Sequence, residues 1–133
     1  MRIDLAHTIT KEEARLALPV LKGGLKLLET KGWCQGASCS NNELERLHGR
    51  PFWLHGYSKD KFCATGAIRE AAKSLYGVSG YHQHELIAAR ILEGTTGTIF
   101  PVYNDVKGRQ KRQIIAKFQQ AIKATASYLK ELR

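Results

Sequence analysis

Glycine and proline divide this chain into short segments in which apolar residues recur at the spacing of an α-helix, and this pattern constrains the fold most. The first segment follows Thr10 and Glu13, which match the Thr-x-x-Glu capping box of a helix start. Its leucines predict helical pieces over about 11–18 and 19–31. We expect a kink or break near Pro19, because proline lacks the backbone N–H that a helix interior needs.

Two further helices are predicted in the middle of the chain. One covers about 59–76, with Ser58 as its N-cap and Gly77 as its stop. The other covers about 80–93 and is expected to end at Gly94. Small residues in the first of these would let another backbone approach closely, so we expect it to be the central helix.

A long last helix is predicted over about 106–131, with Asn104 or Asp105 as its N-cap. Apolar residues at steps of three, four and seven predict the side that packs on the core. These residues are Ile115, Phe118, Ile122 and Leu129.

The remaining segments do not have a helical pattern. Glycine, serine and asparagine punctuate 32–57, which is expected to be irregular apart from one or two helical turns at 42–48. Pro101 and several β-branched residues predict a short extended connector over 95–103. We therefore expect a single domain over 1–133 that is mostly all-α: a compact bundle of four to six helices with one irregular segment and one extended connector.

Composition excludes several classes of protein. Hydrophobic residues make up 43% and charged residues 25%, as in ordinary globular domains. No apolar run reaches the roughly 20 residues of a membrane span, and the N-terminus has no apolar signal core, so a cytoplasmic location is expected. Cys34, Cys39 and Cys63 are expected to be free thiols, because their number and spacing fit neither a disulfide framework nor a zinc site. No metal and no cofactor is predicted.

Positive charge is concentrated at the C-terminal end of the chain. The net charge is +9, and residues 106–133 contain eight basic residues and one acidic residue, a net charge of +7. Residues 1–105 contain thirteen basic and eleven acidic residues, a net charge of +2. Such asymmetry indicates an anionic partner.

The last helix is the candidate binding surface. Helical spacing places Arg109, Arg112, Gln119, Lys123 and Lys130 on one face, and Lys107 and Lys111 add to the cations near its start. Because the helix macrodipole disfavours cations at an N-terminus, stability alone does not account for them. The residues predict contact with nucleic acid or with an acidic or nucleic-acid-binding protein. The alternative is an ordinary solvated helix face.

Three short segments carry a further pattern: 33–37 (Trp-Cys-Gln-Gly-Ala), 62–68 (Phe-Cys-Ala-Thr-Gly-Ala-Ile) and 103–105 (Tyr-Asn-Asp). In this order and spacing they resemble an uncharacterised domain-of-unknown-function family of small phage and bacterial proteins. The resemblance covers roughly 20–125, and Tyr103 stands where that family has tryptophan. It implies a compact helical fold and a phage or mobile-element setting, and it assigns no activity.

The same segments also contain residues that are candidates to line a small pocket. They are Trp33, Cys34, Gln35, Cys63, Tyr103, Asn104 and Asp105. Near the start of a helix, the positive dipole end would lower the pKa of the Cys63 thiol, with His55, His82 or His84 as a possible base. The alternative is that the aromatic residues and Cys63 belong to the core and that the Asn-Asp pair caps a helix.

The sequence therefore predicts a small basic binding protein, in a phage or mobile-element setting, that acts through its C-terminal helix. Its target would be nucleic acid or a nucleic-acid-processing complex. The first alternative is a protein–protein inhibitor of a host defence or replication complex. The second is a small enzyme that uses Cys63 and Asp105. A helix-turn-helix DNA-binding motif formed by the predicted helices 59–76 and 80–93 is disfavoured. Its second helix would contact the bases, and Arg90 is the only Lys or Arg in that helix.

Overall fold

The computed structural model of the protein describes residues 5, 8–35, 39–40, 61–77 and 83–131. Five helices and two short strands lie in this part of the chain: α1 (Lys11–Thr30), β1 (Cys39–Ser40), β2 (Lys61–Phe62), α2 (Ala64–Tyr76), α3 (Gln83–Thr96), α4 (Phe100–Asn104) and α5 (Lys111–Lys130). The strands pair antiparallel, with Cys39 opposite Phe62. The predicted mostly all-α bundle is confirmed. The helical turns predicted at 42–48 lie outside the described residues.

Helix α1 begins at the predicted capping box. The Thr10 hydroxyl accepts from Glu13 N (3.0 Å), and the Glu13 carboxylate accepts from Thr10 N (2.9 Å). The prediction of two pieces is wrong, because Pro19 lies inside one continuous helix. Burial explains the difference: Val20 and Leu21 are fully buried, and burying two such side chains offsets the roughly 3 kcal/mol that an interior proline costs.

Helix α2 begins later than predicted. The backbone at Phe62 is extended, since its N–H donates to Gly32 O (3.0 Å) and its carbonyl accepts from Cys34 N (3.0 Å). Cys63 is therefore the N-cap of the helix, and Ser58 lies outside the described residues. The predicted end is confirmed: Gly77 has a φ of 70°, in the left-handed region that favours glycine.

Helix α3 continues past Gly94 and ends at Thr96, and the next residue, Gly97, has a φ of 75°. The extended connector predicted over 95–103 is wrong, because α3 continues to Thr96 and α4 begins at Phe100. Pro101 is compatible with this short helix since it stands in the first turn, where backbone N–H groups have no partner in the helix.

Helix α5 begins at Lys111, later than predicted. Its N-cap is Gln110, whose backbone N–H donates to the side chain of Gln113 (2.8 Å), so Asn104 and Asp105 do not cap it. Ile114 is fully buried, whereas Ile115, which was predicted to face the core, is half-buried. The other predicted core residues of this helix are Phe118, which is buried, and Ile122 and Leu129, which are half-buried.

Helix α1 is central, packing against α2, α3 and α5. It runs antiparallel to α5, because Tyr128 donates to Ile9 O (2.9 Å) near one end while Gly24 lies beside Phe118 further along. A Cβ atom on Gly24 would stand 2.9 Å from the Phe118 ring, so glycine is needed for this approach. The expectation that α2 would be the central helix is therefore wrong. No helix among the described residues is long and apolar enough to span a lipid bilayer.

Candidate functional site

The three segments that the sequence singled out meet at the side chain of Asn104. Its Oδ1 accepts from Trp33 Nε1 (2.7 Å) and from the backbone N–H of Ala64 (3.1 Å). Its Nδ2 donates to the carbonyl of Cys34 (3.1 Å) and to the carboxylate of Asp105 (2.9 Å). The amide thus joins α4 to the chain after α1 and to the start of α2.

Asn104 has no hydrogen-bonding capacity left for a ligand. A primary amide offers two N–H donors and two acceptor sites, and all four are used. Its side chain is 1% exposed, and its backbone carbonyl accepts from Gln35 Nε2 (3.0 Å), which also donates to Val106 O (2.9 Å). Asn104 is a helix cap, as the alternative interpretation proposed, but the helix it caps is α2 rather than α5.

Tyr103 and Arg109 form a second contact beside this amide. The guanidinium of Arg109 lies 3.6 Å from the centre of the Tyr103 ring, and its Nε donates to Tyr103 O (3.0 Å). The Tyr103 ring also packs on Phe100, with ring centres 5.3 Å apart. These contacts hold the residues after α4 against the bundle. Arg109 therefore has a structural role that its placement on the predicted cationic face did not indicate.

Cys63 lies at the start of α2. Its Sγ is buried and accepts from Gly66 N (3.3 Å), so it serves as the N-cap of α2. Burial raises the pKa of the thiol, and this effect outweighs the hydrogen bonds from Gly66 and Thr65 that lower it. The predicted lowering of the Cys63 pKa is therefore wrong. The nearby carboxylate of Asp105 raises the pKa further.

No described histidine stands next to Cys63. The ring of His84 packs on Tyr76, with ring centres 4.1 Å apart. Tyr76 ends α2, about 20 Å along the helix from Cys63 at its start. His55 and His82 lie outside the described residues. The described geometry accounts for Cys63 as part of the core and as a helix cap.

Some cations of the chain are used inside the fold. Lys117 donates to Thr95 O (3.1 Å) in the last turn of α3, and Arg109 donates to Tyr103 O near the end of α4. Lys11 donates to backbone carbonyls at the end of α5. In each case a cation donates to a carbonyl near the C-terminal end of a helix, where the macrodipole favours positive charge.

Other cations point into solvent along one side of α5. We call this side the outward face, and it consists of Arg112, Ala116, Gln119, Lys123, Ser127 and Lys130, all of them exposed. Lys107 is also exposed, in the turn before the helix, whereas Lys111 is half-buried. The twenty residues of α5 include no Asp or Glu. Of the predicted binding residues, Arg112, Gln119, Lys123 and Lys130 therefore share an exposed cationic face, and Arg109 does not belong to it.

Sequence reasoning missed a second exposed feature, which we call the apolar ridge. Its members are Ile99, Val102 and Val106, with exposed fractions of 55%, 53% and 43%. The sequence pattern places Ile99 and Val102 in the extended connector over 95–103 and Val106 at the start of the last helix. Their steps of three and four are the spacing of one helical face, and that signal was present in the sequence.

An ion pair between α2 and α3 was also not anticipated. Arg69 Nε lies 3.3 Å from Glu85 Oε2, and the Glu85 side chain is 4% exposed. The other carboxylate oxygen of Glu85 is buried and has no hydrogen-bond partner among the described residues. Removal of Arg69 would leave the buried negative charge of Glu85 without this cationic partner.

The fold and its surfaces define a small, mostly helical protein with a cationic face on its last helix and an apolar ridge beside the start of that helix. Residues 14–124 match the model of a family described as a family of unknown function, DUF6197, and the chain belongs to that family. Comparison with curated proteins and with solved structures gives no match.

Proposed function

We propose that this protein binds nucleic acid through the outward face of α5. The observation that carries the proposal is a 20-residue helix, about 30 Å long, whose exposed side has cations and no carboxylates. A row of cations of this length matches the regularly repeating phosphate groups of a nucleic-acid backbone. The other side of the helix is buried against α1 and α3, so the outward face is held in place by the core.

The residues between the cations support the same proposal. Ala116 and Ser127 are small and exposed, and Gln119 has an amide that donates and accepts hydrogen bonds. A phosphate backbone can therefore approach the helix without meeting bulky apolar side chains. None of these residues is placed to read bases, so the proposed binding is independent of sequence.

The cellular location and the phage or bacterial origin of the protein are part of the same proposal. Binding to nucleic acid in the cytoplasm of a bacterial or phage-infected cell agrees with the free thiol of Cys63. A protein partner is the second candidate, and the exposed apolar ridge favours it. The two are compatible because the ridge and the outward face consist of different residues.

Fluorescence anisotropy with mixed-sequence single- and double-stranded DNA and RNA, across a salt series, tests the proposal. We expect log K to fall with log salt by about 0.7–0.9 for each phosphate contacted. The variant Arg112→Gln/Lys123→Gln should weaken binding by about tenfold or more and flatten the salt dependence.

The matched control is Lys73→Gln/Arg90→Gln, which removes one lysine and one arginine from exposed positions on α2 and α3. Both double variants have the same net charge. If they weaken binding equally, the attraction comes from overall charge and the outward face is not the site. If the wild-type protein does not bind at low salt, the proposal is wrong.

A further inference from the structure

We infer that the apolar ridge of Ile99, Val102 and Val106 is a docking site for an acidic segment of another protein that carries aliphatic or aromatic side chains. The three side chains are each about half exposed. They follow one another at steps of three and four along a hydrogen-bonded path, in which Tyr103 N donates to Ile99 O (3.2 Å) and Asp105 N to Val102 O (3.3 Å). Ile99 and Val102 are one turn apart at the start of α4, and Val106 follows two residues after its end.

The ridge is presented by a rigid support. On the opposite side of α4, Phe100 is fully buried and packs edge-on against Phe118, with ring centres 6.2 Å apart. The Asn104 side chain accepts hydrogen bonds from Trp33 and Ala64 and donates one to the carbonyl of Cys34. The ridge side chains are all β-branched and have few rotamers to lose. A partner would thus bind a surface that is already ordered, which lowers the entropic cost of association.

Charge complementarity identifies the partner as acidic. Residues 99–112 contain four cations and one carboxylate, a net charge of +3. The carboxylate is Asp105, which accepts from Asn104. Lys107 is exposed directly after Val106, and Arg112 is exposed at the start of α5. A ligand segment with carboxylates flanking its apolar side chains matches both the ridge and its border.

The same observations disfavour the other occupants. A second copy of the chain would bring the exposed cations Lys107 and Arg112 of both copies together. Aliphatic side chains neither stack on nucleobases as aromatic ones do nor pair with phosphate. A membrane-surface anchor is normally a long amphipathic helix with large apolar residues, whereas α4 has five residues.

Selection from a random 16-residue peptide library against the immobilised protein tests the inference. We expect enriched peptides that combine Asp or Glu with aliphatic or aromatic residues. Their affinity should fall by about tenfold or more in Ile99→Ser/Val102→Ser and by several-fold in Lys107→Glu. The matched control, Leu75→Ser/Leu86→Ser, removes two equally exposed leucines on α2 and α3 and should leave the affinity within about twofold.

Three outcomes would overturn the inference. The first is that no peptide is enriched, or that the enriched peptides bind the ridge variant as well as the wild type. The second is that the wild type, and not the ridge variant, sediments with phosphatidylglycerol vesicles while no acidic peptide is enriched, which would identify a lipid surface. The third is self-association of the wild type that the ridge substitutions abolish. Circular dichroism establishes that each variant is folded.

Discussion

The side-chain amide of Asn104 forms hydrogen bonds with Trp33 and Cys34, with Ala64 and with Asp105. Of these residues only Asp105 is close to it in the sequence. The hydrogen bond from Trp33 spans 71 residues, and that from Ala64 spans 40. Because the amide is buried, water cannot replace it as the partner of these groups. The position of α4 on the bundle therefore depends on this one residue more than on the local preference of a five-residue helix.

We predict that Asn104→Ala lowers the free energy of unfolding by about 2–4 kcal/mol, because the buried N–H of Ala64 and the indole N–H of the half-buried Trp33 lose their acceptor. Equilibrium denaturation in urea measures the change. Lys107→Ala, at an exposed position three residues away, is the control and should change stability by less than about 0.5 kcal/mol. A loss in Asn104→Ala no larger than that of the control would contradict the role of the amide.

Sequence reasoning grouped these residues but did not identify what they do. The segments 33–37, 62–68 and 103–105 stood out as unusual combinations of tryptophan, cysteine and asparagine, and the fold brings Trp33, Ala64 and Asn104 together. The role of each could not be predicted, because hydrogen-bond partners across 40–71 residues depend on how the helices pack. For the same reason the Cys63 pKa was expected to shift in the wrong direction, since helix position was known and burial was not.

The pKa of Cys63 leads to a prediction about alkaline pH. Burial raises it above the usual value of 9.0, and burial likewise raises the pKa of Tyr76. A group whose pKa is higher in the folded chain contributes its full stability below its unfolded pKa, and that contribution is lost as pH rises through the folded pKa. We therefore predict that the free energy of unfolding declines above about pH 9.

The variant Cys63→Ser separates the thiol from other alkaline effects. Its hydroxyl can still accept from Gly66 N, and serine is a favoured N-cap that does not titrate in this range. Urea denaturation at about pH 7.5, 9 and 10.5 should show a shallower decline in Cys63→Ser than in the wild type. Equal declines in the two proteins would mean that Cys63 does not contribute.

At the level of the helices, the sequence indicated where the long ones lie more reliably than where they end. The capping box at Thr10 and the stop at Gly77 were predicted, because both depend on residues next to each other in the chain. Gly94 and Gly97 could not be told apart as stops for α3. The structure selects Gly97, since Thr95 is buried and its carbonyl accepts from Lys117 on another helix. Helix α4 was missed because proline and β-branched residues indicate an extended chain when packing is unknown.

The contact between α1 and α5 gives a prediction whose sign opposes the usual rule. An alanine in place of a helical glycine normally stabilises by up to about 1 kcal/mol. At Gly24 the added Cβ would stand 2.9 Å from the Phe118 ring, which is fully buried and cannot move freely. We predict that Gly24→Ala lowers the free energy of unfolding by about 1–3 kcal/mol.

The matched control for this prediction is Gly94→Ala. Gly94 also lies within a helix, but it is exposed, so the substitution should stabilise by about 0.5–1 kcal/mol. Thermal and urea denaturation of the two variants measure both changes. If Gly24→Ala were as stable as Gly94→Ala, the close approach of α1 and α5 would not require glycine.

For the whole molecule, the net charge of +9 does not distinguish cations that stabilise the fold from cations that are exposed and available to bind a ligand. The structure divides them: Lys117 and Arg109 donate to carbonyls near helix ends, while Lys123 and Lys130 are exposed on the outward face. This division could not be predicted from the sequence, because it depends on which carbonyl of another helix lies within reach. Helical spacing alone placed Arg109 with the exposed cations.

The same division predicts opposite effects for two lysines of α5 that are six residues apart. Lys117→Gln should lower the free energy of unfolding by about 0.5–1.5 kcal/mol, because Thr95 O loses a charged donor at a helix end, and should leave affinity for single-stranded DNA nearly unchanged. Lys123→Gln should leave stability within about 0.5 kcal/mol and weaken DNA binding several-fold. Urea denaturation and anisotropy on both variants measure the four values. Equal losses of affinity in the two variants would show that the DNA responds to overall charge, and the outward face of α5 would then have no special part in binding.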